Sequence, residues 1–335
     1  MAHTPARPTL KAIALACEVN KSTVSRILNN SIGFACSPEL RERVLSEAER
    51  LGYRPHPLAR ALATRHSGII AILGLWTHVL DQNSIYTQMA RSAAEILQAG
   101  GYHVTATLPH PHAGIYPLWP QAVDAAVILQ PEDLNALTQI EASGIPYLSL
   151  DGVAGPHGSA FVLDDRQGAE LALKHLKELG HRRIAWRTRS IPSHHHSRLD
   201  RETAWREFLR RYRLAAPPDE LAAHPDDETF LRECVLGWGA TAVFCYSSME
   251  AARLGRAART LDLAIPGRLS IVCVNDDDEA RNATIPFTAI TTPFSELAKA
   301  GATQLLERLV RGAKPQRYVL RETLVVRAST APPIR

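Results

Sequence analysis

From Gly68 onward the chain repeats one pattern, and that pattern restricts its fold more than any other feature. Apolar runs at 69–75, 102–107, 124–129, 145–150, 160–163, 183–186, 241–246 and 269–274 alternate with amphipathic stretches near 84–99, 165–179, 198–212, 248–261 and 294–310. Short runs with almost no polar interruption fit strands covered on both faces, and the amphipathic stretches between them fit crossover helices. An α/β body built on parallel sheet is therefore expected. At about 265 residues it is large for one sheet, which predicts two doubly wound subdomains with a cleft between them.

The first 66 residues differ in kind. They hold ten Lys and Arg against five Asp and Glu, whereas the whole chain carries a net charge of only +4, so the remainder is slightly acidic. A small basic headpiece points to nucleic acid. Thr9 can cap a helix in which Leu10, Ile13, Ala14 and Cys17 recur at helical spacing. After the turn Cys17-Glu18-Val19, Asn20 can open a second helix whose Val24, Ile27 and Leu28 share an inward face. Lys21 with Ser25, and Ser22 with Arg26, are each four apart and project from the other side. A helix N-terminus offers free N–H groups to phosphate, and an arginine can give guanine a bidentate pair, so this face suits DNA. Ser37-Pro38 opens a third helix, with Leu40, Val44, Ala48 and Leu51 inward and Gly52 ending it. Two helices on a tight turn, braced by a third, make a helix-turn-helix unit. A unit that contacts only protein is the alternative reading of the same pattern.

The wording itself carries a resemblance. TLKAIALACEVNKSTVSRILNN and LRERVLSEAERLGYRPHPLARALATRHSG resemble the headpiece and hinge of the lac repressor and galactose repressor family of bacterial transcription regulators, and VVRAST followed by APP resembles its C-terminal signature. The resemblance covers the whole chain. It implies Lys21, Ser22 and Arg26 as base readers and Thr23, Ser25 and Asn29 as phosphate contacts. Segment 54–66 starts with two prolines and continues into an Ala/Leu/Arg stretch too short to be a stable helix alone. The resemblance implies paired hinge helices there, lying in the minor groove with Leu62 wedged into a base step; packing between subunits is the other reading of Leu62. It further implies a body like periplasmic sugar-binding proteins. The expected division is a headpiece at 1–53, a hinge at 54–67 and an effector-binding and dimerisation domain at 68–335. Within that domain one subdomain takes about 68–163 and 293–322, the other about 164–292 and 323–335. Two departures stand out: Glu18 occupies a turn position usually held by Gly, and the loop SIGFACSP is longer than the family's.

Ligands of open α/β sheets bind beyond the carboxyl ends of the strands. Trp76, Asp151, Ser247 and Asn275 each directly follow an apolar run, and a carboxylate with a flat aromatic suits a polyhydroxylated ring. The resemblance selects Asp151, Arg201, Ser247 and Asn275 as effector-binding positions, with Tyr86 at a position usually aromatic and Phe294 at the start of the late helix. Core packing is the alternative for Tyr86 and Phe294, and a turn or capping role for Asp151. The family's Asn-Asp pair is Ser247-Ser248 here, and its first Asp after the late strand is Asn275, which points away from a common hexose.

Other classes find little support. The longest apolar run, Ile69 to Trp76, is far short of the roughly 20 residues that span a bilayer. Ala12 to Cys17 is too short for a secretory leader, so a cytoplasmic protein without a membrane partner is expected. Five scattered cysteines without a C-x-x-C pair suggest neither a disulfide framework nor a zinc site. The adjacent imidazoles of His194-His195-His196 cannot all face one ion on a regular backbone, and this run, like His110-Pro-His112, reads as a solvated loop. Asp276-Asp277-Asp278-Glu279 lacks the glycine and terminal glutamate of a calcium loop and reads as a solvated acidic turn. Nucleotide-binding and serine-hydrolase motifs are missing, so neither a cofactor nor catalysis is expected. The expectation is a homodimeric repressor that binds a palindromic operator under control of a sugar-like effector. Without a heptad tail after the last strand, a dimer is favoured over a tetramer. The competing classes are a solute-binding protein without a DNA function and, more remotely, a sugar-modifying enzyme.

Overall fold

The structure, a computed structural model, describes residues 8–28, 34–53, 66–74, 85–107, 122–129, 134–188, 196–218 and 226–334. Its first three helices are α1 (Leu10–Ala16), α2 (Lys21–Leu28) and α3 (Pro38–Arg50). The Thr9 hydroxyl accepts from the Ala12 N–H at 3.3 Å and the Ser37 hydroxyl from the Leu40 N–H at 3.2 Å, so each cap satisfies a donor that its helix leaves open. At the end of α3, Gly52 takes φ +64° and lets the Tyr53 N–H reach back to the Ala48 carbonyl at 2.8 Å. Ile13, Ala14, Cys17, Val24, Ile27, Val44 and Ala48 form a small core of their own. Glu18 adopts φ 52° in the α1–α2 turn, a left-handed conformation open to glycine and costing other residues about 1–2 kcal/mol.

The body holds two sheets. The first comprises β1 (Ile69–Leu73), β2 (His103–Thr107), β3 (Ala125–Leu129), β4 (Tyr147–Leu150), β5 (Gly158–Leu163) and β10 (Arg317–Leu320), all parallel, in the order β10-β5-β4-β3-β1-β2. The second comprises β6 (Ile184–Arg187), β7 (Ala242–Cys245), β8 (Ser270–Val274), β9 (Thr288–Thr291) and β11 (Thr323–Val325), in the order β11-β9-β8-β7-β6, with β11 antiparallel to β9. The helices around them are α4 (Ile85–Ala99), α5 (Leu134–Ser143), α6 (Asp165–Glu178), α7 (His196–Arg211), α8 (Asp227–Leu231), α9 (Ser248–Thr260), α10 (Asp278–Arg281) and α11 (Phe294–Arg311), and α8 runs into a π-helical turn at Arg232–Gly237.

The central strands of each sheet are buried on both faces, as their unbroken apolar runs require. On the first, α4 and α11 cover one side, and Ile140 of α5 packs with Ile145 and Tyr147 on the other. On the second, α8, the π-turn and α9 cover one side, and α6 with α7 the other. The chain leaves the first sheet after Leu163, returns to it after Thr291, and crosses again at Arg321-Glu322.

The acidic run at 276–279 is not a free solvated turn. Asp277 caps α10 by accepting from the Ala280 N–H at 3.1 Å and also accepts from the Ser248 hydroxyl at 2.7 Å, while Asp276 pairs with Arg327 at 2.7 Å. These contacts tie the end of β8 to α9 and to the C-terminal segment.

Candidate nucleic-acid interface and ligand cleft

On α2, Val24 and Ile27 are buried while Lys21, Ser22 and Arg26 are exposed, with Thr23 and Ser25 half-buried at the margin. Lys21 and Ser22 stand in the first turn and Arg26 in the last, all on the side of α2 away from its buried stripe. The Arg26 guanidinium lies 5.4 Å from the centre of the Phe34 ring. Asn29, Leu62 and Trp76 lie outside the described residues, as do the histidines at 110, 112, 194 and 195.

A second polar constellation forms where the chain passes between the sheets. Asp151 follows β4 with φ 55° and is anchored by its own N–H, which donates to the Phe161 carbonyl at 2.9 Å. Its Oδ1 lies 3.4 Å from Nε2 of His196, the first residue of α7. This contact joins the first sheet to a helix of the second. Nε2 of His196 also lies 4.0 Å from Oδ2 of Asp165, in the first turn of α6. Oδ1 of Asp165 receives Arg201 from two sides, Nε at 2.8 Å and Nη2 at 2.6 Å, and Arg201 Nη1 donates to the Tyr246 carbonyl at 3.0 Å. The guanidinium stacks 4.6 Å from the centre of the Tyr246 ring, and the Tyr246 hydroxyl shares a 2.7 Å hydrogen bond with Ser197.

Burial sets the protonation states here. Arg201 is 3% exposed, and burial works against its charge, yet Asp165 and the neighbouring acids hold its pKa above the ordinary arginine value. Glu322 sits at the third crossing, 2% exposed, with neither carboxyl oxygen in a hydrogen bond. Its carboxyl fills the space left by Gly168 in α6, where a Cβ would come within 1.6 Å of Oε2. Burial, with Asp165 adding to it, raises the Glu322 pKa well above the usual carboxylate range. Burial raises the Asp165 pKa as well, against the charge of Arg201, so Asp165 and Glu322 titrate as a pair, with Arg201 beside Asp165 favouring the charge there. Burial likewise works against charging His196, but the hydrogen bond and charge of Asp151, with Asp165, outweigh it and raise its pKa.

The remaining cleft residues are spent more locally. Ser247 caps α9, accepting from the Glu250 N–H at 3.3 Å. Asn275 follows β8 in a left-handed conformation, and the Thr292 hydroxyl donates to its Oδ1 at 3.4 Å. Tyr86 and Phe294, each in the first turn of its helix, are buried in the apolar cluster of the first sheet. The sequence gives no sign of Tyr246 or Glu322 and marks Asp165 only by its place just after β5; His196, expected in a solvated loop, instead opens α7 and faces Asp151. Beside the cluster lies a cavity of about 520 Å³, whose lining includes Asp165, His196 and Asp200 together with Val162 and Val319.

Comparison with known proteins fits both regions. The model for bacterial regulatory proteins of the lacI family matches residues 9–56, and that for a periplasmic binding protein-like domain matches residues 173–330. The HTH-type transcriptional regulator MalR of Streptomyces coelicolor is 30% identical over 350 aligned positions, which cover 96% of each chain. The regulator CelR of Thermobifida fusca is 29% identical, covering 96% of this chain and 98% of its own. Among solved structures, the lac repressor dimer bound to operator and the anti-inducer ONPF superposes with a TM-score of 0.75 at 23% identity, covering 97% of this chain and 99% of that one. A CelR–cellobiose complex superposes with a TM-score of 0.65 at 24% identity, covering 96% and 100%.

Proposed function

The chain belongs to the lacI family of bacterial regulatory proteins, and from that premise we propose that it is a cytoplasmic homodimeric repressor that reads a palindromic operator and answers to a sugar-like effector, with no catalytic step. The carrying observation is α2: an exposed row of Lys21, Ser22 and Arg26 backed by a buried Val24–Ile27 stripe. Lys21, Ser22 and Arg26 read base edges, and Thr23, Ser25 and Asn29 hold phosphates. Residues 1–53 are the headpiece, and 54–67 the hinge, where Leu62 enters the minor groove. In the body, residues 68–163 with 293–322 and residues 164–292 with 323–335 are the two subdomains. They close on an effector at Asp151, Arg201, Ser247 and Asn275, with Trp76 against the ring and Tyr86 and Phe294 fixing the wall behind it. The relatives named above supply the ligand class, because MalR and CelR are regulators and the solved CelR structure holds cellobiose.

Control follows from linkage. An effector shifts the two subdomains only by its difference in affinity for their two arrangements, and the dimer passes that shift to the paired hinges. The test is operator binding titrated against salt, with and without effector. Affinity should fall steeply with salt. Arg26→Ala should cost about 1–3 kcal/mol of binding and selectivity while effector binding is kept. Asp151→Ala should keep operator binding and lose the effector response. Unchanged selectivity in the first variant, or a normal response in the second, overturns the corresponding role.

A further inference from the structure

We propose that Asp151, Asp165 and His196 form a binding site for a single divalent transition ion of the zinc type, at the mouth of the cavity between the two sheets. One oxygen from each carboxylate and one imidazole nitrogen lie within 4.8 Å of one another. Ligands bonded to one ion at about 2.0–2.2 Å stand roughly 3–4 Å apart, so the 3.4 Å from His196 Nε2 to Asp151 and the 4.0 Å to Asp165 already approach that spacing. A second observation, independent of spacing, concerns the oxygen that would bond. Asp165 Oδ2 is fully buried and accepts no hydrogen bond, although Arg201 occupies the other oxygen of the same carboxylate. A buried carboxylate oxygen without a donor is costly unless something satisfies it, and a cation arriving on the His196 side would do so.

The donor set selects the ion. Two carboxylates with one imidazole suit zinc, manganese or nickel, whereas magnesium and calcium prefer all-oxygen shells. Asp165 and His196 both line the cavity of about 520 Å³, so an ion has a path in and keeps its remaining positions open. The Arg201 guanidinium and the N-termini of α6 and α7 are positive neighbours, and they make the site weaker than an all-acidic one. Such an ion would also clamp Asp151 of the first sheet to helices of the second. Three adjacent imidazoles need not share the ion, because only His196 takes part, from the first turn of α7, with carboxylates from two other elements.

Calorimetric titration of the full chain with zinc chloride, and separately with manganese chloride, tests the site. The expected result is one ion per chain, weakened about 10–100-fold by His196→Ala and by Asp151→Asn and unchanged by His194→Ala with His195→Ala. Cobalt should give the intense visible absorption of a low-coordinate site in the parent chain and lose it in His196→Ala. Since His196 lies at the cavity rim, a normal melting profile and normal operator binding verify that this variant folds. The site is refuted by a lack of saturable uptake, by uptake that survives both His196→Ala and Asp151→Asn, or by uptake that disappears with His194 and His195 instead. None of these readings requires an effector, so a failed effector assay leaves the outcome intact.

Discussion

On α2 the polar side chains of Lys21, Ser22 and Arg26 stand in solvent, whereas around Asp165 and Arg201 the charges are buried and bind one another. Among the described residues, the headpiece holds its helices together with seven buried ones, all small or medium-sized, and leaves its chemistry outside. The body encloses its chemistry where three stretches of chain cross, so the same groups that would meet a ligand also support the fold. A substitution in the first region should therefore change recognition and spare stability, and one in the second should change both.

The largest effect is expected from Arg201→Ala. It leaves Asp165 buried without the two donors that meet its Oδ1, and breaking a buried pair from one side costs about 3–5 kcal/mol. Urea denaturation followed by far-UV circular dichroism should show the body's transition moved by that amount, while an operator assay at low temperature still finds a working headpiece. A shift below about 1 kcal/mol, the range of exposed pairs, would mean that the cluster is open to water and that the contrast between the regions is false.

How much of this could be read from the sequence divides along the same line. Residues four apart share a helix face whatever surrounds them, so Lys21, Ser22 and Arg26 could be placed outward from spacing alone. The apolar strands could be located for the same reason. The strands that escaped were β9, β10 and β11. Thr288–Thr291 has Thr at both ends, and Arg317–Leu320 is an edge strand with Tyr318 and Val319 exposed, so neither shows the continuous apolar run of a doubly covered strand. In the cleft, Asp151 was legible from its place after an apolar run. The pairing of Asp165 with Arg201, 36 residues apart, and the burial of Glu322 against Gly168 depend on which helices the sheet brings together, and no local spacing encodes that.

A second prediction uses pH to probe the body alone. His181 is 1% exposed; its ring nitrogens contact the Thr241 hydroxyl at 2.8 Å and the Ala331 carbonyl at 3.0 Å. A carbonyl can only accept, so Nε2 carries a proton, and in the neutral ring Nδ1 accepts from the Thr241 hydroxyl. Burial, reinforced by nearby His175 and opposed by the Ala331 carbonyl, lowers the pKa from 6.5 to about 4. The unfolded chain therefore takes up a proton between those values that the folded chain refuses. Stability is fully present above pH 6.5 and falls as the pH drops toward 4, by up to about 3 kcal/mol. His181→Gln can keep both hydrogen bonds without the titration, so its stability should change less over that window. Equal acid slopes in the two proteins would remove His181 as the cause.

The smallest effect belongs to the headpiece and separates positioning from reading. Ser37→Ala removes the hydroxyl that accepts from the Leu40 N–H, a capping loss of about 1 kcal/mol, and touches no residue of the reading face. Amide exchange in the first turn of α3 should quicken by several-fold while the body's unfolding transition stays in place. Because α3 packs Val44 and Ala48 against α1 and α2, a frayed α3 loosens the platform under every contact at once. Operator and non-operator DNA should then lose affinity in nearly equal proportion. Arg26→Ala instead removes one base-edge donor from an intact platform, and its loss should fall on the operator. A Ser37→Ala protein that loses selectivity as Arg26→Ala does would show that α2 is not held rigidly enough for its side chains to be treated as independent readers.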